Sequence, residues 1–298
     1  MTTDQLRLFL VIARHRSLSR AAAELELGQA TVSERLKALE AEVGAPLFER
    51  RGRGVALTPA GNSFHPYAER ALDVLRQAKE SAIQAGEGRG GQVTIAVTVT
   101  SGAYLFAPAL VAFQRQHPNV EVRVRSAHSW DAPGLVLDGV AQLALLSGPS
   151  THPQIESIAT FTSPLVLVTG KRRQPLRVTL EELAREQVLV SYWGPGSQTF
   201  LESVKAAAEN KTGLWLELSP VELVKGMLLA GTGVSLLPEI AVRRELASGD
   251  LVKLELADSA ARLPQWEINL IRQRRRQPNP AAEALAETLI EILPSLTR

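Results

Sequence analysis

Residues 17–40, SLSRAAAELELGQATVSERLKALE, decide the reading of this chain. They read as two short helices with a tight break at Leu27-Gly28. In the second helix Val32, Leu36 and Leu39 recur at helical spacing and form an apolar back. The opposite face carries Ala30, Ser33, Glu34 and Lys37, with Gln29 at its leading edge. This is the pattern of a helix-turn-helix, whose second helix suits the major groove of DNA. Gln29, Ala30, Thr31, Ser33, Glu34 and Lys37 are therefore the candidate DNA contacts of this helix.

Outward from that stretch, Leu6, Phe9, Leu10 and Ala13 give an earlier helix one apolar stripe. Downstream, Arg50-Arg51-Gly52-Arg53-Gly54 followed by Val55-Ala56-Leu57 looks like a small hairpin wing. A compact helical head over 1–58 follows. Arg51 and Arg53 are candidate DNA contacts, because a positive wing beside such a helix suits phosphate or a narrow minor groove. The alternative is a solvated hairpin.

Thr58-Pro59 combines a good N-cap with a proline at the first helical position, so a helix starts there. Four glycines between 86 and 91 predict its end. A linker helix over 59–86 would be a rod of roughly 40 Å. Phe64, Ala68, Ala71, Leu75, Ala78 and Ala82 are spaced as a heptad seam, which points to a homodimer through this helix. Packing of the stripe on its own domain is the competing reading. Residues 87–91, EGRGG, read as a hinge.

From 92 to 298 strand and helix patterns alternate, which predicts an α/β fold with parallel-rich sheets. Strands are expected at 93–97, 120–124, 143–146, 165–168, 188–190 and 266–271. Helices are expected at 104–116, near 135, and at 200–209, 221–229 and 281–293. The repetition suggests two similar lobes with a ligand crevice between them. The expected lobes are 92–161 with 267–298, and 162–266.

The composition fits this division. The 298 residues are 45% hydrophobic and 21% charged, with a net charge of only +2. DNA affinity must then come from a local basic patch rather than overall charge. No cysteine is present, which excludes disulfides, thiolate metal sites and a thiol nucleophile. The five histidines form no metal spacing, and neither a phosphate-binding loop nor a serine-hydrolase elbow occurs. These observations predict neither an enzyme nor a resident cofactor. The start, MTTDQLRLFLVIARH, has an early acid and no signal-peptide core, and no apolar run approaches a membrane span. A cytoplasmic protein is expected.

Residues 6–61 and the stretches VTIAVTVTSGAYLFAPALVAFQRQHPNVEVRV and GMLLAGTGVSLLPEIAV together resemble the LysR-type transcriptional regulators over the full length. That resemblance implies a winged helix-turn-helix head, a dimerising linker helix and a two-lobed effector domain like periplasmic binding proteins. It also implies a homotetramer and a small-molecule coinducer that alters promoter binding. A solute-binding protein is the alternative, which the head and the chain start argue against.

By the same resemblance the ligand cleft is lined by strand-to-helix turns. The first is Thr98-Val99-Thr100-Ser101-Gly102, where hydroxyls and free backbone N–H groups suit an organic anion. Simple N-capping by Thr100 or Ser101 is the competing role. Gly196-Ser197-Gln198-Thr199 matches a second turn, so Ser197 and Thr199 join the effector candidates, with Ser147 and Thr232 as further ones. Tyr192 and Trp193 line a pocket or belong to the core. Three departures stand out. Gly28 stands where a Ser or Thr cap is common, Glu34 where a basic residue is common, and Phe200 where an Arg is common. Glu34 either accepts from cytosine or pairs with Arg35 or Lys37. Arg272, Arg274, Arg275 and Arg276 read as a surface loop.

Overall fold

The computed structural model describes residues 1–52, 54–87, 91–171, 176–207, 213–257, 262–274 and 279–297. Its contacts divide the chain into two compact units, Met1–Glu87 and Gly88–Arg298.

In the first unit α1 spans Thr3–His15 and opens on a capping box. The Thr2 hydroxyl accepts from Gln5 N at 3.3 Å, and the Gln5 side chain accepts from Thr2 N at 2.7 Å. Arg16, at φ 51°, turns the chain out of α1. Helix α2 (Leu18–Glu24) is capped by Ser17, and α3 covers Gln29–Val43. The break between α2 and α3 covers Leu25 to Gly28 and so includes the expected Leu27-Gly28. Glu26 takes the left-handed conformation at φ 54°, while Gly28 stays extended and caps α3 without a side-chain bond. Leu8, Ile12, Ala21, Val32 and Leu36 form one core beneath α3. Phe9, Leu39, Leu47 and Ala68 form a second. Each large side chain fully buried here contributes roughly 2 kcal/mol.

The wing pairs β1 (Phe48–Arg51) with β2 (Gly54–Leu57) in antiparallel register. It hangs on α1, because Val55 N donates to the Arg16 carbonyl at 3.0 Å. The contact is so close that a Cβ on Gly54 would lie 2.6 Å from that carbonyl oxygen. Arg53 lies outside the described residues.

Helix α4 runs Pro59–Glu87, past the glycine expected to stop it. Thr58 fixes its start. Its hydroxyl donates to Pro46 O at 2.7 Å and accepts from Gly61 N at 3.0 Å. The predicted seam divides in two. Phe64, Ala68 and Ala71 pack on Leu6, Phe9 and Leu39 of their own unit, because α1 lies against the first turns of α4. Leu75 and Ala78 are exposed, as is the neighbouring Val74. The Ala82 side chain lies outside the described residues, as do hinge residues 88–90.

Among the described residues the second unit holds ten strands in one sheet, with core order β4-β3-β5-β12-β6-β10-β8-β9. In chain order these are β3 (Gln92–Val97), β4 (Glu121–Ser126), β5 (Leu143–Ser147), β6 (Ile155–Gly170), β8 (Val188–Val190), β9 (Trp215–Glu217), β10 (Val234–Pro238) and β12 (Gln265–Gln273). The short β7 (Arg177–Val178) and β11 (Leu251–Leu256) complete it. The sheet is mixed rather than parallel-rich. Strand β12 runs antiparallel to both β5 and β6, and β10 antiparallel to β6. Strand β6 changes partner along its length, pairing with β12 over 155–164 and with β10 over 165–169.

A continuous helical run starts at Val99, passes a π-helical turn at Gly102–Phe106 and ends at Gln116. Its first and last parts are α5 (Val99–Ser101) and α6 (Ala107–Gln116). Strands β3 and β5 are apolar on both faces because both are covered. Val93, Ile95 and Leu145 face the main core with α6 and the last helix, α12 (Pro280–Leu296), while Ala96, Ala144 and Leu146 face α7 (Ala132–Leu137). The remaining helices are α8 (Leu180–Arg185), α9 (Pro195–Ala206), α10 (Val221–Leu229) and α11 (Glu239–Ser248). Helix α9 starts five residues before its expected position, because Pro195 occupies its first turn. Residues 208 and 209, the end of the expected helix, lie outside the described residues. Among the described residues no helix is long and apolar enough to cross a membrane.

Candidate functional site

Two sites emerge, one in each unit. In the first unit α3 buries Val32, Leu36 and Leu39 and turns its other face outward. Gln29, Ala30, Glu34 and Lys37 are exposed, and Thr31 and Ser33 are half-buried. Ser19 Oγ donates to the Gln29 side chain at 3.1 Å, tying the start of α3 to α2. Among the described residues Glu34, Arg35 and Lys37 make no side-chain hydrogen bond or ion pair. The intrahelical pairing considered for Glu34 is absent here. At the far end of α3, Glu40 Oε1 accepts from Leu47 N at 2.7 Å and from Phe48 N at 3.1 Å. This carboxylate ties α3 to the wing strand, and nothing in its spacing singled it out. Arg50 and Arg51 are exposed on the wing, Arg51 lying 3.5 Å from Glu49.

The second site is a cleft of about 550 Å³ at the C-terminal ends of the parallel strands. One wall comes from β3, β4 and β5: Thr98, Val99, Thr100, the loop Ser126–Trp130, and Ser147. The other comes from β8 and β9: Ser191, Tyr192, Trp193, and the run Glu217–Val221. Trp266 anchors the floor, donating from Nε1 to Ser147 Oγ at 2.8 Å. Trp193 packs edge-on to it at 5.7 Å and donates to Leu236 O at 2.7 Å. Ser147 N in turn donates to Ser129 Oγ at 3.0 Å, which holds the β4 loop in place.

The effector candidates separate on this geometry. Thr98, Thr100 and Ser147 line the cleft. Thr98 also caps the helix, its hydroxyl 2.7 Å from Ser101 Oγ and accepting from Ser101 N at 3.2 Å. Thr100 is 9% exposed, and its hydroxyl has no partner among the described residues. Ser101 and Gly102 do not line the cleft. Ser101 is fully buried, and Gly102 lies against the side chain of Val97 at the end of β3. Ser197 is buried as well, accepting from Trp193 N at 3.0 Å and donating to Gly194 O at 2.8 Å. Thr199 and Thr232 are exposed elsewhere, donating to Pro195 O and Met227 O. These small hydroxyls satisfy local backbone carbonyls, a role that competes with ligand contact at any helix end. Phe200, where a basic residue was the family expectation, is buried in the core.

Sequence reasoning missed Ser126–Trp130 and Glu217–Val221. A usable signal was present, since both runs follow strands of the parallel set, where ligands bind. Arg272 is also resolved by the structure. It is paired with Glu156 at 2.6 Å and Glu283 at 2.8 Å, and Arg274 donates to Ile155 O. Arg275 and Arg276 lie outside the described residues.

The pattern described as "Bacterial regulatory helix-turn-helix protein, lysR family" matches residues 3–62, and "LysR substrate binding domain" matches residues 86–294. The "HTH-type transcriptional regulator CfxR" of Cupriavidus necator is 31% identical, over 98% of this chain and 92% of that one. The "RuBisCO operon transcriptional regulator" of Allochromatium vinosum is 30% identical, over 96% and 94%. The crystal structure of full-length CbnR complexed with its target DNA shares the fold, with a TM-score of 0.74 at 21% identity, over 98% of this chain and 99% of that one. A free-standing solute-binding protein would lack the matched head. A grooved effector fold behind a helix-turn-helix, matched at both ends and by full-length relatives, places this chain in the LysR family of DNA-binding transcriptional regulators.

Proposed function

We propose that α3 and the wing read a promoter while a small molecule in the cleft adjusts how the heads are presented to it. The proposed division is a DNA-binding head at 1–58, a linker helix at 59–86, a hinge at 87–91 and an effector domain at 92–298. The observation that carries the DNA reading is the outward face of α3, where Gln29, Ala30, Glu34 and Lys37 are exposed and, among the described residues, Glu34 and Lys37 make no side-chain bond. Gln29 suits adenine, Ala30 a thymine methyl, and Thr31, Ser33 and Lys37 base edges or phosphates. Arg51 adds a wing contact to phosphate, and Arg53 belongs to the same proposal on sequence grounds.

In the cleft the Thr100 hydroxyl, which has no partner among the described residues, supports contact with a small polar effector, as do the lining residues Thr98 and Ser147. Two walls sharing one ligand would change their angle on binding, and that rotation is the signal. The exposed Val74, Leu75 and Ala78 of α4 support a homodimer through the linker, and a tetramer follows if effector domains also pair. Such a regulator works in the cytoplasm, where the chromosome lies.

The test is a reporter fused to the DNA flanking this gene. Lys37→Glu abolishes binding of the full-length protein to that DNA. Thr100→Trp, which fills the cleft, leaves DNA affinity intact but removes the reporter's response to growth conditions. A response that survives Thr100→Trp refutes the sensing role. Wild-type DNA affinity in Lys37→Glu refutes the reading face.

A further inference from the structure

The cleft's charge runs against a simple anion. Among the described residues no lysine or arginine lines it, and its one carboxylate is Glu217. That side chain is exposed and has no partner among the described residues. Its position is not accidental to the wall. Strand pairing sets Glu217 opposite Val190, Leu218 N donates to Val190 O at 2.9 Å, and Ser191 Oγ donates to Leu218 O at 2.9 Å. These bonds hold the carboxylate next to the segment that carries Tyr192.

Two large aromatic faces are open on the same cleft. Trp130 is 70% exposed and Tyr192 50% exposed. Trp130 is also held flat, with the His128 ring stacked on it at 4.5 Å and 5°. Aromatic faces left uncovered beside a lone carboxylate are the surroundings that recognise a positively charged nitrogen, through ring quadrupoles and direct charge. A purely anionic ligand would meet Glu217 as a like charge, with no side-chain cation to offset it.

We infer that the effector of this chain carries a positively charged nitrogen, received by Glu217 between Trp130 and Tyr192. This rests on the cleft being the effector site. Together with the hydroxyls of Thr98 and Thr100, which suit a carboxylate, it makes the effector class a small zwitterion of amino-acid or betaine type.

The test pairs each zwitterion with the same carboxylate lacking the charged nitrogen. L-Leucine is set against 4-methylpentanoate, L-phenylalanine against 3-phenylpropanoate, and glycine betaine against 3,3-dimethylbutanoate, by calorimetry on the full-length protein. At least one zwitterion should bind about ten-fold or more tightly than its twin. Glu217→Gln should erase that advantage while leaving the twin's affinity unchanged. Twins that bind as well as or better than the zwitterions overturn the inference, and so does a Glu217→Gln effect shared equally by both. If no zwitterion binds, the class is wrong. The sensing role is judged apart from this, because a carboxylate twin whose binding is lost in Thr100→Val keeps the cleft as the effector site.

Discussion

Lys225 Nζ lies 2.9 Å from Glu245 Oε1, joining α10 to α11 with the lysine side chain only 10% exposed. The same ammonium donates to the Tyr104 hydroxyl at 3.2 Å, and that hydroxyl donates to Glu222. The second oxygen of Glu245 is buried with no partner among the described residues. The cluster thus links the helical run after β3 to two helices that follow β9. Burial would pull the Lys225 ammonium down, but its bonds to Glu245 and Tyr104 outweigh this and raise it above its ordinary value. Burial would push the Glu245 carboxyl up, but the bond and charge of Lys225, a backbone hydrogen bond and the charge of Arg244 together outweigh this and hold it low.

Removing one partner leaves the other buried and uncompensated. Lys225→Met should cost about 3 kcal/mol, while Lys225→Met with Glu245→Leu should recover most of it. Urea unfolding followed by tryptophan fluorescence reads this unit alone, since all four tryptophans lie in it. A double variant no better than the single one contradicts the pairing.

The same cluster sets a pH window. The Lys225 contribution is complete below its unfolded pKa of about 10.4 and is lost as pH rises through the raised folded value. The Glu245 contribution is complete above its unfolded pKa of about 4.3 and is lost as pH falls through the lowered one. The stability gap between wild type and the double variant should therefore be flat from roughly pH 5 to 9 and change at both extremes. A gap that varies within that plateau assigns the dependence to other groups.

Glu40 holds two backbone amides at the root of the wing. Glu40→Ala leaves both unbonded and should destabilise the head by about 2 kcal/mol, with weaker DNA binding. Glu40→Gln keeps an acceptor oxygen and should lie between. Hydrogen exchange at Leu47 and Phe48 reads the effect directly; unchanged protection in Glu40→Ala counts against the tie.

Lys37 is exposed on the far part of the α3 face and has no side-chain partner among the described residues. Lys37→Ala should weaken binding on all sequences and flatten the plot of log affinity against log salt by about 0.9. Fluorescence anisotropy across a salt series measures the slope. Weakening on one sequence alone would make Lys37 a base contact instead.

Glu34 is exposed on the same face, unpaired among the described residues. Glu34→Gln should relax a requirement for cytosine at one half-site position, seen by comparing all four bases there. An identical base preference in both proteins removes Glu34 from base reading.

Much of the head was legible in order along the chain, because its signals are local. Spacing at Val32, Leu36 and Leu39 defines the buried back of α3, and Thr58-Pro59 defines where α4 begins. In the second unit the same logic located β8 and α10 to the residue. Local spacing could not say that the left-handed residue of the turn is Glu26 rather than one of the pair Leu27-Gly28.

Partnership was decided only in three dimensions. Spacing made Phe64, Ala68, Ala71, Leu75 and Ala78 equivalent, yet α1 covers the first three and leaves the last two open. Hydroxyls at Ser197 and Thr232 were ligand candidates along with that of Thr100, but nearby carbonyls engage the former two while Thr100 is left facing the cleft. Glu217, at the end of β9, and Trp130, after β4, are far apart in sequence and stand at opposite ends of the strand order, yet the folded chain sets both on one cleft. Periodicity determines which face of an element is apolar. Only the packed chain determines what covers that face, and which polar groups are left for another molecule.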